Sequence, residues 1–149
     1  MLSLEVKQYI DKSVLCWLAT SDMEHQPNVS PKEVFTHFKD QYIIIANIAS
    51  PNTVKNIKQN SKVCISFIEV FIQKGFQLKG SAQIITKKDE GFKSMESELL
   101  KITKGLYPFN SITKIQIESV KPIIAPSYIL YPDKKDDDRI SEVKKSYGL

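Results

Sequence analysis

The chain has 149 residues, 42% of them hydrophobic and 26% charged, which is typical of a globular protein with one modest core. Its net charge of +4 comes from scattered lysines and a single arginine, Arg139, a pattern that argues against nucleic-acid binding. No apolar stretch approaches the roughly 18 residues of a membrane span, and residues 1–11 lack the features of a signal peptide. We therefore expect a single domain over residues 1–149, cytoplasmic, that binds neither nucleic acid nor membrane.

The first half of the chain predicts two helices and three strands. In chain order these are an amphipathic helix around Leu4, Tyr9 and Ile10, a nearly all-apolar strand over Val14–Thr20, a strand from about Asn28 to Phe38, a strand over Tyr42–Ala46, and a helix that begins at Ser50 and Pro51. The first strand is apolar enough to predict burial on both faces. Cys16, Trp17 and Cys64 lie in apolar runs, so we expect core residues with both thiols reduced, or for Trp17 a contact with a cofactor or partner.

The second half predicts three more strands and two helices. The first two strands run over Lys62–Val70 and from about Gln73 to Thr86, and the helix after them is capped by Asp89 and has an apolar face of Phe92, Met95, Leu99 and Ile102. A strand over Thr113–Val120 follows, and then an extended segment over residues 123–131. The chain ends with a charged linker over Lys134–Asp138 and a short final helix, which together span about residues 133–149. Gly75 and Gly80 inside the long strand indicate a bulge or a close approach of another chain segment. Strands joined mostly by hairpins predict a mainly β protein, a small antiparallel barrel with peripheral helices.

The start of the second helix is unusually polar. Ser50 is a good N-cap residue and Pro51 a good first helical residue. Free backbone N–H groups and the macrodipole at such a terminus attract phosphate, and Asn52 and Thr53 add side-chain donors there. Lys32 and Lys55 could add positive charge. On this stretch alone, a capped surface helix is the favoured interpretation.

Several short motifs follow one another along nearly the whole chain. They are Leu18-Ala19-Thr20, Pro27-Asn28-Val29-Ser30-Pro31-Lys32, Ile45-Ala46-Asn47, Ser50-Pro51-Asn52-Thr53, Asn56-Ile57, Asn60-Ser61-Lys62-Val63 and Leu78-Lys79-Gly80-Ser81-Ala82. Their order and spacing resemble the pyridoxamine 5'-phosphate oxidase-like family of FMN-binding split barrels. The tail, with Tyr128–Pro132 and Ser146–Leu149, looks like one subgroup of small proteins in that family.

The resemblance implies a six-stranded antiparallel split barrel of the Greek-key type, a homodimer with two FMN molecules in clefts between the subunits. In this family, the flavin ring would lie against Ser30, Pro31, Lys32 and Glu33, and the ribityl chain against Ala46 and Asn47. The phosphate would be bound by Ser50, Asn52, Thr53, Lys55 and Asn56. Lys32 is then the candidate for the N1–C2=O edge of the flavin. Partner residues around Lys79 or Tyr128 would close the pocket. Some relatives use a deazaflavin or haem instead.

One departure from the family bears on the substrate. The true vitamin-forming oxidases carry an Arg-Gln pair early in the long strand and an Arg-x-His segment near the C-terminus. Lys74-Gly75 stands in place of the first, and the C-terminal region has Arg139 but no histidine. Because the usual partners of the substrate phosphate and ring are missing, we do not expect oxidation of pyridoxine phosphate.

Three functions remain open from the sequence. The first is an FMN-dependent oxidoreductase that acts on an unidentified small molecule, with a small-molecule electron donor or acceptor. The second is a non-catalytic FMN-binding protein or electron carrier, and the third, of another class, is a small nucleic-acid-binding barrel. The pattern identifies no catalytic residue. His25 and His37 fall in no metal-binding spacing, so no metal site is predicted.

Overall fold

The computed structural model describes residues Met1–Leu149 as one curved, seven-stranded antiparallel sheet surrounded by five helices. The strands are β1 (Cys16–Ser21), β2 (Pro27–Lys32), β3 (Phe35–Phe38), β4 (Tyr42–Ala46), β5 (Lys62–Glu69), β6 (Lys74–Thr86) and β7 (Ser111–Ile124). The helices are α1 (Leu4–Lys12), α2 (Pro51–Gln59), α3 (Phe92–Thr103), α4 (Ser127–Leu130) and α5 (Asp136–Ser146). The strand order is β2-β1-β5-β6-β7-β4-β3. The predicted mainly β, antiparallel split barrel is confirmed, with seven strands in place of six.

The extra strand arises where the second strand was predicted, between Asn28 and Phe38. This segment is divided into β2 and β3, which only Glu33 and Val34 separate, yet the two strands lie at opposite edges of the sheet. The carbonyl of Val34 already accepts a 3.0 Å hydrogen bond from Ala46 N on the β4 side. A chain that passes between the two edges within so few residues requires the sheet to curl into a barrel that is split at this point.

Two apolar clusters form the core. The larger contains 16 buried residues inside the curl of the sheet, and α1 adds Val6 and Ile10 to it. The smaller contains eight buried residues between α3 and the other face of β4 and β7. Consecutive isoleucines of β4 alternate between the clusters, so β4 is the strand buried on both faces.

The first strand is not buried on both faces, contrary to its apolar sequence. Cys16, Leu18 and Thr20 point inward, whereas Trp17 is 47% exposed on the outer face of the sheet. The expectation that Trp17 belongs to the core is therefore wrong, because no element of this chain covers β1 on that side. Both cysteines are free thiols, Cys16 buried as predicted and Cys64 only half-buried.

The two glycines of β6 confirm the predicted close approaches. A Cβ atom on Gly75 would lie 1.9 Å from the carbonyl oxygen of Phe67, and one on Gly80 would lie 2.1 Å from that of Gln116. The register of β6 against β7 shifts between Lys79 and Gly80, which is the bulge that the sequence indicated.

The second half of the chain differs from the prediction in three places. Residues 127–130 form α4 instead of an extended segment, because Pro126 stands at its N-cap and starts the turn. The aspartates of the predicted linker form the first turn of α5, where their charge complements the helix dipole, as Lys144 and Lys145 do in the last turn. Finally, the N-cap of α3 is Gly91 and not Asp89, whose carboxylate accepts hydrogen bonds from the backbone N–H and hydroxyl of Thr86. Of the predicted apolar face of α3, Phe92, Met95 and Leu99 are buried, whereas Ile102 is exposed.

No helix in this structure combines the length and the apolar character needed to cross a membrane.

Candidate functional site

Helix α2 is joined to the sheet mainly by polar side chains. We call the four pairs that connect the helix and its C-cap to β1 and β2 the polar seam: Lys32–Ser50, Ser30–Thr53, Thr20–Asn56 and Ser21–Asn60. The two hydroxyls of Ser30 and Thr53 are 3.2 Å apart, and the amide of Asn56 donates over 3.1 Å to the Thr20 hydroxyl. Ile57 is the one α2 residue in an apolar cluster. The structure thus brings together five of the predicted site residues, Ser30, Lys32, Ser50, Thr53 and Asn56.

Ser50 does not cap α2 with its side chain, contrary to expectation. Its hydroxyl donates over 3.0 Å to the carbonyl of Ile48 and accepts from the ammonium of Lys32. The Ser50 hydroxyl is thus oriented toward Ile48 and Lys32 and accepts no hydrogen bond from the first turn of α2, which lacks a side-chain cap. The backbone N–H groups of Asn52 and Thr53 consequently have no acceptor in the chain. Two backbone donors at this helix terminus are therefore left without a partner within the chain.

Lys32 is the last residue of β2 and is only 6% exposed. Its ammonium finds one acceptor, Ser50 Oγ, and takes part in no ion pair. Burial lowers the pKa of Lys32, since the protonated form loses hydration. Across the β1–β2 ladder, burial raises the pKa of the Cys16 thiol to about 12, although the nearby Lys32 charge opposes this. A buried ammonium with spare donors fits an electron-rich or anionic group of a ligand.

A cleft opens beside Lys32, where β2 ends and β4 ends. Its volume is about 220 Å³, and it is lined by Pro31, Lys32, Glu33, Val34, Ala46, Ile48 and Tyr107. Four of these residues are apolar, and the cleft is also lined by one cationic residue, Lys32, and one anionic residue, Glu33. The volume falls below the roughly 300–1,000 Å³ of most ligand sites. One chain therefore supplies only part of a pocket for a ligand as large as a flavin.

A second, open depression of about 560 Å³ lies at the N-terminus of α2. It is lined by Asn47, Ser50, Pro51, Val54, Lys55, Lys58 and Ser111. Asn47 is held in place because its amide donates over 3.1 Å to Ser111 Oγ and accepts over 2.7 Å from the Thr113 hydroxyl. Ala46 lines the cleft and the adjacent residue Asn47 lines the open depression, so the cleft and the depression meet at the end of β4.

The predicted residues are not equally available to a ligand. Thr53 is 2% exposed and Asn56 is also buried, so their side chains are committed to the polar seam. Asn52, Lys55 and Glu33 are exposed. The residues around Lys79 and Tyr128, which the resemblance suggested for a partner chain, line neither depression.

Sequence reasoning missed several residues of this region. Thr20, Ser21 and Asn60 complete the polar seam, Ser111 and Thr113 hold Asn47, and Tyr107 lines the cleft. The alternating hydroxyls of Ser111 and Thr113 at a strand start were a usable signal, once β7 is known to pair with β4. The structure contains no cluster of His, Cys, Asp or Glu side chains suited to a metal ion.

The chain is thus an antiparallel split barrel with a cleft and a helix N-terminus beside the point where β2 passes into β3. A family model described as pyridoxamine 5'-phosphate oxidase matches residues 2–123, and the chain belongs to this family. The resemblance seen in the sequence is thereby confirmed. No curated protein matches the chain.

Solved structures of the same fold carry different descriptions. HupZ from Group A Streptococcus is 26% identical, with a TM-score of 0.69 over 80% of this chain and 92% of that one. HutZ from Vibrio cholerae, described as a heme storage protein, is 20% identical, with a TM-score of 0.67 over 82% of this chain and 94% of that one. An FMN-binding protein from Syntrophomonas wolfei is 17% identical, with a TM-score of 0.64 over 78% and 82% of the two chains. The last two show the fold alone.

Proposed function

We propose that this chain binds FMN and is an FMN-dependent oxidoreductase that acts on a small molecule. The observation that carries the proposal is the buried Lys32 ammonium, which makes no ion pair, in a half-apolar cleft that adjoins a helix terminus where two backbone N–H groups have no acceptor in the chain. These donors and the cleft match the two ends of FMN, a phosphate and a planar ring with a polar edge.

Each part of the site has a separate task in this proposal. The free N–H groups of Asn52 and Thr53 bind the phosphate, and the exposed Lys55 adds charge near it. Asn47, fixed by Ser111 and Thr113, presents a rigid amide to the ribityl chain. Lys32 holds the N1–C2=O edge of the ring, where it favours the reduced anion. When bound, FMN supplies hydride or electron transfer, and the protein supplies orientation and electrostatics.

We propose further that the pocket is completed by a second copy of the chain. The cleft is smaller than the ligand requires, and the outer face of the sheet leaves Trp17, Ile68 and Val70 exposed beside an apolar groove of about 530 Å³. Sedimentation of the protein should give a mass near twice 17.0 kDa. A monomer that binds FMN tightly would contradict the shared pocket.

Haem is the competing occupant, because HutZ is described as a heme storage protein. The lining of the cleft favours flavin, since neither His25 nor His37 borders either depression and Lys32 is a poor iron ligand. The chromophore released by denaturing pure protein identifies the occupant directly. Absorbance bands near ~370 and ~450 nm, which belong to the flavin itself, support the proposal, whereas a haem spectrum overturns it.

The phosphate assignment is tested by titrating apoprotein with FMN and with riboflavin. Wild-type protein should bind FMN more tightly, and Lys55→Gln should weaken FMN binding severalfold while leaving riboflavin binding unchanged. Lys93→Gln, at an exposed position on α3, is the matched control. Equal affinity of wild-type protein for riboflavin and FMN would show that no phosphate site exists.

The catalytic part of the proposal is tested with reductants and substrates. Reduction of the bound flavin by NADH or NADPH separates an oxidoreductase from a carrier. Pyridoxine and pyridoxamine 5'-phosphates are not expected to react, because Lys74 stacks 4.2 Å from the Tyr128 ring centroid and lies outside the cleft. Turnover of either near the usual ~1–10³ per second would contradict this expectation.

A further inference from the structure

The loop between α3 and β7 brings one aromatic side chain to the cleft. Lys104 and Gly105 take left-handed conformations, with φ of 53° and 77°, and turn the chain out of α3. Phe109 is buried in the smaller apolar cluster and anchors the loop. Tyr107, two residues earlier, lines the cleft with Val34 and Ile48 and is 58% exposed. The loop is thus fixed at one aromatic residue and presents another.

Nothing within the chain explains the position of the Tyr107 side chain. Its hydroxyl makes no hydrogen bond, and its ring packs in neither apolar cluster, although the hydroxyl of Tyr128 does bond to the carbonyl of Ile72. What distinguishes Tyr107 from the other exposed apolar side chains is its place in the lining of the cleft, where aromatic side chains commonly contact ligands. The same cleft is also lined by the buried Lys32.

We propose that Tyr107 is a positioning residue that packs against the open face of the planar ring bound in the cleft. The inference rests on the proposed FMN function and adds to it a residue that none of the sequence motifs contains. Lys32 fixes the polar edge of the ring, and Tyr107 fixes the plane. Tyrosine suits this task, because it offers a large flat surface at the cost of only two side-chain torsions.

The geometry implies selectivity for planar aromatic ligands. Offset or edge-to-face contacts between aromatic rings stabilise a complex beyond the area they bury. A side chain that covers the ring also excludes water from the flavin face on that side. Phenylalanine should retain both effects, since the proposed role belongs to the ring and the hydroxyl is unbonded. Leucine should lose the aromatic contact.

The test compares Tyr107→Leu, Tyr107→Phe and the control Tyr131→Leu, which replaces an exposed tyrosine that does not line the cleft. Each apoprotein is titrated with FMN and with lumiflavin, which has the ring but no phosphate. Tyr107→Leu should weaken binding of both by about 2- to 13-fold, the range expected for an aromatic pair. Tyr107→Phe and Tyr131→Leu should stay within about twofold of wild type.

The outcomes separate the two proposals. If wild-type protein binds FMN and Tyr107→Leu binds both ligands as wild type does, Tyr107 has no role at the ring. If Tyr107→Phe loses as much affinity as Tyr107→Leu, the hydroxyl makes the contact and the packing role is wrong. If wild-type protein binds neither ligand, the FMN function itself is wrong, and the role of Tyr107 is rejected with it. Thermal unfolding of each variant verifies that the compared proteins are folded.

Discussion

Helices α2 and α3 both pack on the sheet after a strand, but they are held there by opposite kinds of contact. α3 buries Phe92, Met95 and Leu99 against β4 and β7. α2 is held by the polar seam, with a single residue, Ile57, in the core. Apolar burial of this kind stabilises by about 1.5–3 kcal/mol per large side chain, whereas a neutral hydrogen bond contributes about 0.5–1.5 kcal/mol net.

The difference indicates which helix serves stability and which serves binding. An apolar interface leaves no group free for a ligand, and α3 borders neither depression. The polar seam, in contrast, holds a buried lysine and leaves donors unpaired at the start of α2. Functional sites are commonly less stable than the surrounding fold for this reason. Five measurements test the contrast between the two helices.

The largest effect is expected from Leu99→Ala in α3. Leu99 is completely buried, so its truncation leaves a cavity and should lower the free energy of unfolding by about 2–5 kcal/mol. FMN affinity of the folded fraction should not change. Urea denaturation measures the first quantity, and the neighbouring exposed Leu100→Ala is the control. A loss of FMN affinity with Leu99→Ala would show that α3 contributes to binding as well as to stability.

Lys32→Met in the polar seam should show the reverse behaviour. FMN binding should weaken by roughly 10- to 150-fold, the value of one hydrogen bond from a charged group. The free energy of unfolding should stay equal or rise, because a desolvated ammonium is replaced by an apolar chain of similar shape. Lys93→Met on the surface of α3 is the control. Marked destabilisation by Lys32→Met would show that this lysine serves the fold instead.

The same variant has a pH signature. Burial lowers the pKa of Lys32 in the folded protein, so the unfolded chain binds the proton more strongly. Folding is therefore penalised while the group is protonated, and stability should rise with pH between the lowered folded value and the ordinary 10.5. Lys32→Met should lack this rise. Thermal unfolding across the alkaline range is the measurement.

A smaller effect is expected for the hydroxyl pair of the seam. A double-mutant cycle of Ser30→Ala and Thr53→Ala should give a coupling energy of about 0.5–1.5 kcal/mol, since the two oxygens are 3.2 Å apart in a partly buried setting. Ser94→Ala on the exposed side of α3, combined with Ser30→Ala, should give a coupling near zero. Coupling near zero in the seam pair would show that the contact contributes nothing to the docking of α2.

The smallest effect concerns the turn before α3. The backbone N–H and the hydroxyl of Thr86 lower the pKa of Asp89, so this contribution is present above the ordinary 3.8 and lost as pH falls through the folded value. Asp89→Asn should flatten the acid dependence of the thermal midpoint slightly, because the carboxylate is fully exposed. Asp11→Asn is the control, as this exposed side chain makes no hydrogen bond. If the thermal midpoint of Asp89→Asn depends on acid pH as that of the wild type does, the hydrogen bonds of Asp89 do not contribute to stability.

The contrast also shows what a sequence can reveal. The apolar face of α3 was predictable, because Phe92, Met95 and Leu99 repeat at helical spacing within one segment. The polar start of α2 was predictable too, from Ser50 and Pro51. The polar seam was not, since each of its pairs joins residues far apart in sequence, as Asn56 and Thr20 are.

Other features were unpredictable for the same reason. The division of β2 from β3 depends on which edge of the sheet each strand joins, and an extended run such as Asn28–Phe38 carries no mark of it. Trp17 looks like a core residue in the sequence, but it is exposed, since burial depends on what covers a strand and not on the residues of the strand itself. Tyr107 lies in a loop between Gly105 and Pro108, where local sequence indicates only that the helix has ended.

The passage of the chain between the two edges of the sheet has a consequence for local opening. Val34, between β2 and β3, lines the cleft, so a molecule seated there pins the two free edges of the barrel to each other. The amide protons of β2 and β3 should then exchange with solvent together, through one local opening in which both edge strands separate from the sheet. A saturating ligand should slow both strands by the same factor, 1 + [L]/Kd, and leave exchange in β5 and β6 at its earlier rate.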